Sequence, residues 1–152
     1  MAGLTSALCT SFKVELLEGD HDFNNGADAF KVALFKANAS ITGTYGAATT
    51  NYSDMTGNSD ELPNGSGYTT GGYTLTNVNP TSSGTTAFTD FSTNASWSSA
   101  TFTTRGCLIY NSNDGNSAVA VIDFGADYSV SGGTFEIQWP TADSSNAIIR
   151  IA

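Results

Sequence analysis

The chain has one histidine, His21, in the acidic stretch GDHD, and histidine is the side chain most often used to move protons near neutral pH. Pairing with Asp20 or Asp22 would give acid/base chemistry, but no nucleophile stands beside it in a recognisable pattern, so an exposed loop histidine is expected. Asp20, Asp22 and Asn24 alternate as at the opening of a calcium loop. Gly26 comes one residue late, however, and Lys31 stands where the closing glutamate belongs. That excludes an EF-hand and leaves a solvated turn over residues 20–28, with an irregular calcium site as the alternative. Asp123, Asp127 and Glu136 offer the carboxylates of a glycosidase, but nothing sets two of them across a cleft, and acids on β-edges also keep sheets soluble. GSGYTTGGY, residues 65–73, lacks the Lys-Ser/Thr ending of a phosphate loop and reads as a turn. The sequence therefore assigns no catalytic, cofactor-binding or metal-ligating residue. Among the aromatics, Trp97 and Trp139 are expected in the core, while Tyr68 is the one expected to face a partner.

The elements that position these residues are mostly strands. RGCLIYNS and AVAVIDFG flank NSNDGNS, whose residues tolerate positive φ, and this predicts an antiparallel hairpin. FKVALFK, residues 30–36, is apolar on both faces and predicts a central strand. Further strands are expected at 73–78, at 85–91, around Trp97 and Phe102, at FEIQW after Gly132-Gly133, and at the closing AIIRIA. Leu4, Leu8, Phe12 and Leu16 recur every four residues, widened by Val14 and Leu17. This predicts a short N-terminal helix from about Gly3 to Glu18, within residues 1–18, capped by Thr5 or Ser6. The interval 37–72 is rich in Gly, Ser, Thr and Asn and carries Tyr45, Tyr52 and Tyr68. It reads as a long functional loop with a short helical turn near Asn51–Met55. About eight short strands and few helices give the fold class: all-β, a single domain over 1–152, an antiparallel β-sandwich of jelly-roll type.

Bulk properties narrow the function classes. With 152 residues the chain suits one core. Charged residues are only 12%, and 14 acids against 5 bases leave a net charge of −9, which disfavours nucleic acid as a partner. No apolar run is long enough to span a bilayer, and the first residues lack a basic segment followed by an apolar one, so neither a membrane span nor a signal peptide is expected. Cys9 and Cys107 form no metal or redox motif and are expected as free thiols, Cys107 packed in its strand.

Taken in order, CTSFKVELLEGDHDF, DAFKVALFKANA, GYTTGGYTLT, WSSATFTTRGCLIYN, VIDFG, FEIQWP and AIIRIA resemble the small virion structural proteins of tailed bacteriophages over nearly the whole chain. The resemblance implies a capsid decoration (cement) protein that binds and stabilises the major capsid protein lattice at the capsid surface of the virion. It also implies assembly in the host cytoplasm and a homo-oligomer, a trimer by analogy with decoration proteins at local threefold axes. No enzymatic activity and no cofactor are implied. Contacts would then come from Leu4, Leu8 and Phe12, which either dock into a neighbour or cover one open end of the sandwich, and from Tyr45, Tyr52 and Tyr68 as anchors. The competing reading is a tail or fibre component that binds a receptor or glycan.

Overall fold

Two long strands carry the architecture, and the other elements are laid against them. The computed structural model describes residues 2–152. The strands are β1 (Gly3–Leu4), β2 (Ala7–Leu8), β3 (Phe30–Leu34), β4 (Thr44–Tyr45), β5 (Tyr73–Thr74), β6 (Thr81–Ser83), β7 (Thr86–Thr89), β8 (Ala95–Asn111), β9 (Ser117–Ile137) and β10 (Ile149–Ile151). Two helices, α1 (Thr10–Glu18) and α2 (Tyr52–Gly57), and a 3₁₀ turn at Asn38–Ser40 complete the chain. The fold is all-β with antiparallel sheets: five strands in the order β2-β9-β8-β3-β5, and three in the order β10-β7-β6. A parallel pairing of β1 with β4 stands apart from them.

The expected hairpin is present. β8 runs antiparallel to β9 from Asn111↔Ser117 at the turn to Ala95↔Ile137 at the far end. Gly115 and Asn116 take positive φ there (52° and 65°), as a turn of this composition allows. β3 is a central strand between β8 and β5, and Phe30, Val32, Ala33 and Leu34 are wholly buried, as apolar character on both faces requires. The expected separate strands around Trp97, Phe102 and FEIQW are instead one strand of 17 residues and part of one of 21. Bulges are the reason: the register slips between Trp97 and Ala100, between Ala100 and Thr101 and between Thr104 and Gly106, yet pairing resumes each time.

The N-terminal helix is shorter than expected. α1 begins only at Thr10, with Cys9 as its N-cap in place of Thr5 or Ser6, and it ends at Gly19 in the left-handed region (φ 88°). Residues 3–8 are extended because sheet edges take up their backbone groups. Gly3 N donates to Gly43 O, Thr5 N to Tyr45 O, and Ala7 and Leu8 pair with Val121 and Ala120. A spacing of four in Leu4 and Leu8 thus serves two strand pairs rather than a helical stripe. Phe12 is buried and Leu16 half-buried, while Val14 and Leu17 of α1 face outward, Leu17 at 90% exposure.

The interval 37–72 is mostly turns and irregular chain, as expected, with the 3₁₀ turn, β4 and α2 inside it. α2 lies where the helical turn was expected. Asn51 caps it by accepting from Ser53 N, and Asp54 answers in a capping box. The small sheet joins the core through Phe91, which follows β7, and through Ile149 of β10. Asp90, almost wholly buried, ties the two by accepting from Phe91 N (2.8 Å) and Ile148 N (3.1 Å).

Candidate functional site

His21 is not the exposed loop residue the sequence suggests. It follows the Gly19 stop of α1 and turns inward, its ring 5.1 Å from Phe12 and 6.2 Å from Phe30. Its partner is Glu15, one helical turn before the stop, and not Asp20 or Asp22. Nε2 lies 2.9 Å from Glu15 Oε2, and Nδ1 lies 3.0 Å from Asn111 Nδ2. Asn111 fixes the proton positions. Its Oδ1 accepts from the backbone N–H groups of Asn113 (3.0 Å) and Asp114 (3.3 Å), while Nδ2 also donates to Asp28 Oδ2 (2.8 Å). With the amide oriented in this way, Nδ1 must accept and Nε2 must carry the hydrogen it donates to Glu15. Both ring nitrogens are therefore engaged. Ligand atoms of Glu15, His21 and Asp114 lie within 4.8 Å of one another, the spacing of a three-ligand metal site. A cation on Nε2 would drive the proton to Nδ1, where it would meet the Asn111 N–H. The cluster thus functions as a hydrogen-bonded strut between α1, the 20–28 loop and the hairpin turn.

The calcium-like residues also bond locally. Asp22 Oδ1 accepts from Asn24 N and Asn24 Nδ2 (2.9 and 2.7 Å), and Asp28 Oδ2 accepts from Asp22 N. The three hairpin acids each have separate partners. Asp123 forms a two-point ion pair with Arg105, through Nε (2.7 Å) and Nη2 (3.3 Å). Asp127 accepts from Asn38 N, and Glu136 from Asn94 and Gln138.

The densest polar site was missed by sequence reasoning: two adjacent carboxylates, Asp60 and Glu61. Asp60 is wholly buried and accepts from Tyr45 OH (2.6 Å), Gly43 N (2.8 Å), and both the N–H and the hydroxyl of Thr42 (3.0 and 3.2 Å to Oδ1). Burial alone would raise this carboxyl, yet the bonds from Tyr45, Gly43 and Thr42 outweigh it and hold Asp60 below the usual carboxylate range. Glu61 accepts from Tyr52 OH (2.5 Å), Tyr68 OH (2.7 Å) and Gly71 N (2.7 Å). Tyr68 OH in turn accepts from Leu34 N (3.0 Å), so one phenol bridges the central strand and the 37–72 segment. Tyr52 stacks on Tyr110 at 4.5 Å, and Tyr110 OH donates to Gly71 O. Burial and the neighbouring carboxylates push the phenols of Tyr45, Tyr52 and Tyr68 well above their ordinary range, and burial takes Tyr110 to about 12.

Burial corrects three of the six expected contact residues. Tyr45, Tyr68 and Phe12 are buried in the core, with at most 2% exposure, and cannot anchor a partner from there. Tyr52 is half-buried over Glu61. Leu4 and Leu8 are half-buried against the core, Leu4 lying over Gly106. A signal was present in the sequence: between residues 37 and 72 the only charged side chains are Asp54, Asp60 and Glu61, uncompensated by any base and surrounded by tyrosines and threonines. Once the fold buries Asp60 and Glu61, hydroxyls and backbone N–H groups are the donors left to them.

What faces outward lies elsewhere. At the far end of the β8–β9 hairpin, Phe124, Tyr128, Phe135 and Ile137 line an apolar groove with Glu136 at its rim, and Tyr128 is 51% exposed. Behind the groove the Phe135 ring packs on Trp97 at 5.9 Å and on Phe102 at 5.5 Å. Cys9 and Cys107 are free, as expected, and both are buried; burial with help from the Glu15 and Asp54 charges pushes Cys9 up to about 12. Among the described residues no helix is long and apolar enough to cross a membrane. No protein-family model matches the chain, and no curated protein or solved structure is significantly similar to it.

Proposed function

We propose that this chain is a structural protein of a tailed-bacteriophage particle, a decoration protein held on the outer face of the major capsid protein lattice. Its β-scaffold, read as a sandwich of jelly-roll type, acts as a stiff spacer. The observation that carries the reading is how the interior polar groups are used. His21, Asp60, Glu61 and Asp90 are each bonded to the chain's own backbone, phenols or amides, and each holds one segment against another. Such groups rigidify a scaffold whose work is contact. The resemblance of the ordered sequence segments to phage virion proteins supports the same reading.

The physical benefit is linkage. A ligand that binds only the closed lattice adds its binding free energy to the stability of the shell, and no reaction is required. A net charge of −9 keeps an outer-face protein away from DNA during assembly. Free buried thiols suit assembly in a reducing cytoplasm.

A tail or fibre component is the second reading. A shallow depression lined by Lys36, Tyr52, Thr56, Ser59, Glu61 and Thr70 has the mixture of hydroxyls, charge and ring that a glycan contacts, and it favours that alternative. Copy number in purified particles of the phage that encodes the chain separates the two. Decoration requires copies commensurate with the shell subunits, whereas a tail part would be present in a few. Particles lacking the polypeptide would refute both.

A further inference from the structure

β9 is covered on both edges only near its start. Val121 and Ala120 pair with β2, and Ser6 Oγ accepts from Asp123 N, but from Tyr128 to Ile137 the strand is paired with β8 alone. A long free edge is a ready template for another strand, and natural sheets blunt such edges with lysine, proline, inward charges or bulges. The segment Tyr128–Phe135 reads YSVSGGTF and has no lysine, proline or charge, in a chain that carries 14 acids, and its one interruption is a bulge at Gly132.

A bulge sets the faces of this segment. Ala100 is opposite Gly133 and Thr101 is opposite Ser131, so Gly132, at φ 63°, is the extra residue. Regular alternation would put Val130 and Phe135 on opposite faces. The extra residue brings Tyr128, Val130, Phe135 and Ile137 onto one face, in agreement with Phe102, which lies opposite Val130 and touches the Phe135 ring at 5.5 Å. Ser131 and Thr134 share the other face and are exposed.

We infer that this edge binds a second copy of the chain, β9 pairing antiparallel with β9 about a twofold axis. The register that the side chains select sets Val130 opposite the partner's Phe135, Tyr128 opposite the partner's Ile137, and Ser131 opposite the partner's Thr134. Every apolar residue of the segment then meets an apolar one on the same face, the pairings that stabilise sheets most. The acids are kept apart, with Glu136 opposite Ser129 and Asp127 opposite Gln138. Sliding the strands by two residues toward the start of β9 would set Asp127 against Glu136, like charges directly opposite. The apolar groove at Phe124, Tyr128, Phe135 and Ile137 becomes continuous with its symmetry mate across the axis. Antiparallel self-pairing uses the same patch on both subunits and closes at two, so this edge makes a dimer and not the threefold ring that the phage resemblance implies. The inference is independent of what the protein decorates and is tested on the free chain.

The test uses Ser131→Cys and Thr134→Cys, exposed positions whose substitution leaves the core untouched, with Cys9 and Cys107 buried and unreactive. Mixing the two single variants under mild oxidation should yield a disulfide-linked heterodimer, while each variant alone crosslinks far more slowly. Light scattering of the unmodified chain should give twice the chain mass, and Val130→Lys should raise the concentration for half-dissociation about tenfold or more. A monomeric mass at every concentration, or a mixture that crosslinks no faster than the single variants, overturns the inference.

Discussion

Glu61 is the residue on which the middle of the chain depends. It receives two phenolic hydroxyls and one backbone N–H, and its removal leaves Tyr68 OH and Gly71 N without acceptors in the interior. Glu61→Ala should therefore lose about 2–5 kcal/mol, and Tyr68→Phe, which strips Leu34 N of its acceptor, about 1–3, read as shifts in urea midpoint. Asp60 gives the pH dependence. Its folded-state pKa lies below the unfolded value, so the stability it contributes is complete above about pH 4 and is lost as pH falls through the folded value. Asp90 has the opposite sign, since burial raises it and its ionisation opposes folding. Urea midpoints across pH 2–7 should accordingly fall on the acid side for the native chain and fall less for Asp60→Asn. Asp123, held down by Arg105, and Asp143, held down by Asn146, act in the same direction as Asp60. Little of this was legible in advance, because residues 37–72 have no hydrophobic periodicity. Nothing in a tyrosine's neighbours along the chain says that its hydroxyl will meet a carboxylate 7, 9 or 15 residues away.

At the level of elements, local pattern succeeds where a segment decides its own structure and fails where a partner decides. The β8–β9 turn and the buried strand β3 follow from their own residues, as does α2 with its Asn51 cap. Residues 3–8 do not, since they are extended only because β4 and β9 present free edges to them. Likewise the strand breaks expected between Trp97 and Phe102 and at Gly132-Gly133 become bulges once β8 and β9 hold each other in register. Gly106 shows how closely the N-terminal segment is fitted to this hairpin. A Cβ there would come within 2.3 Å of Ile122 O and 2.5 Å of Leu4 Cδ1. Gly106→Ala should therefore cost about 1–3 kcal/mol through overpacking, and amide exchange at Thr5 and Ala7 should accelerate as β1 and β2 are pushed off.

For the whole molecule, the sequence conveyed class and charge but not the surface. An all-β chain with net charge −9 and few ionic groups was readable from composition. Which aromatics face outward was not, because burial depends on contacts between distant segments: Tyr45 and Tyr68 turned inward, while Tyr128 at the hairpin end turned out. The outward surface thus consists of the β8–β9 hairpin, the outer side of α1 and hydroxyl-rich loops around a braced interior. The proposal that the chain decorates a phage capsid is tested most directly by binding to empty capsid shells of a phage that carries its gene, prepared before and after expansion and separated from free chain by sedimentation. The account predicts saturable retention on expanded shells, at a fixed ratio to the major capsid protein, together with a rise in shell melting temperature. Equal retention on unexpanded shells, or none on either, would contradict it.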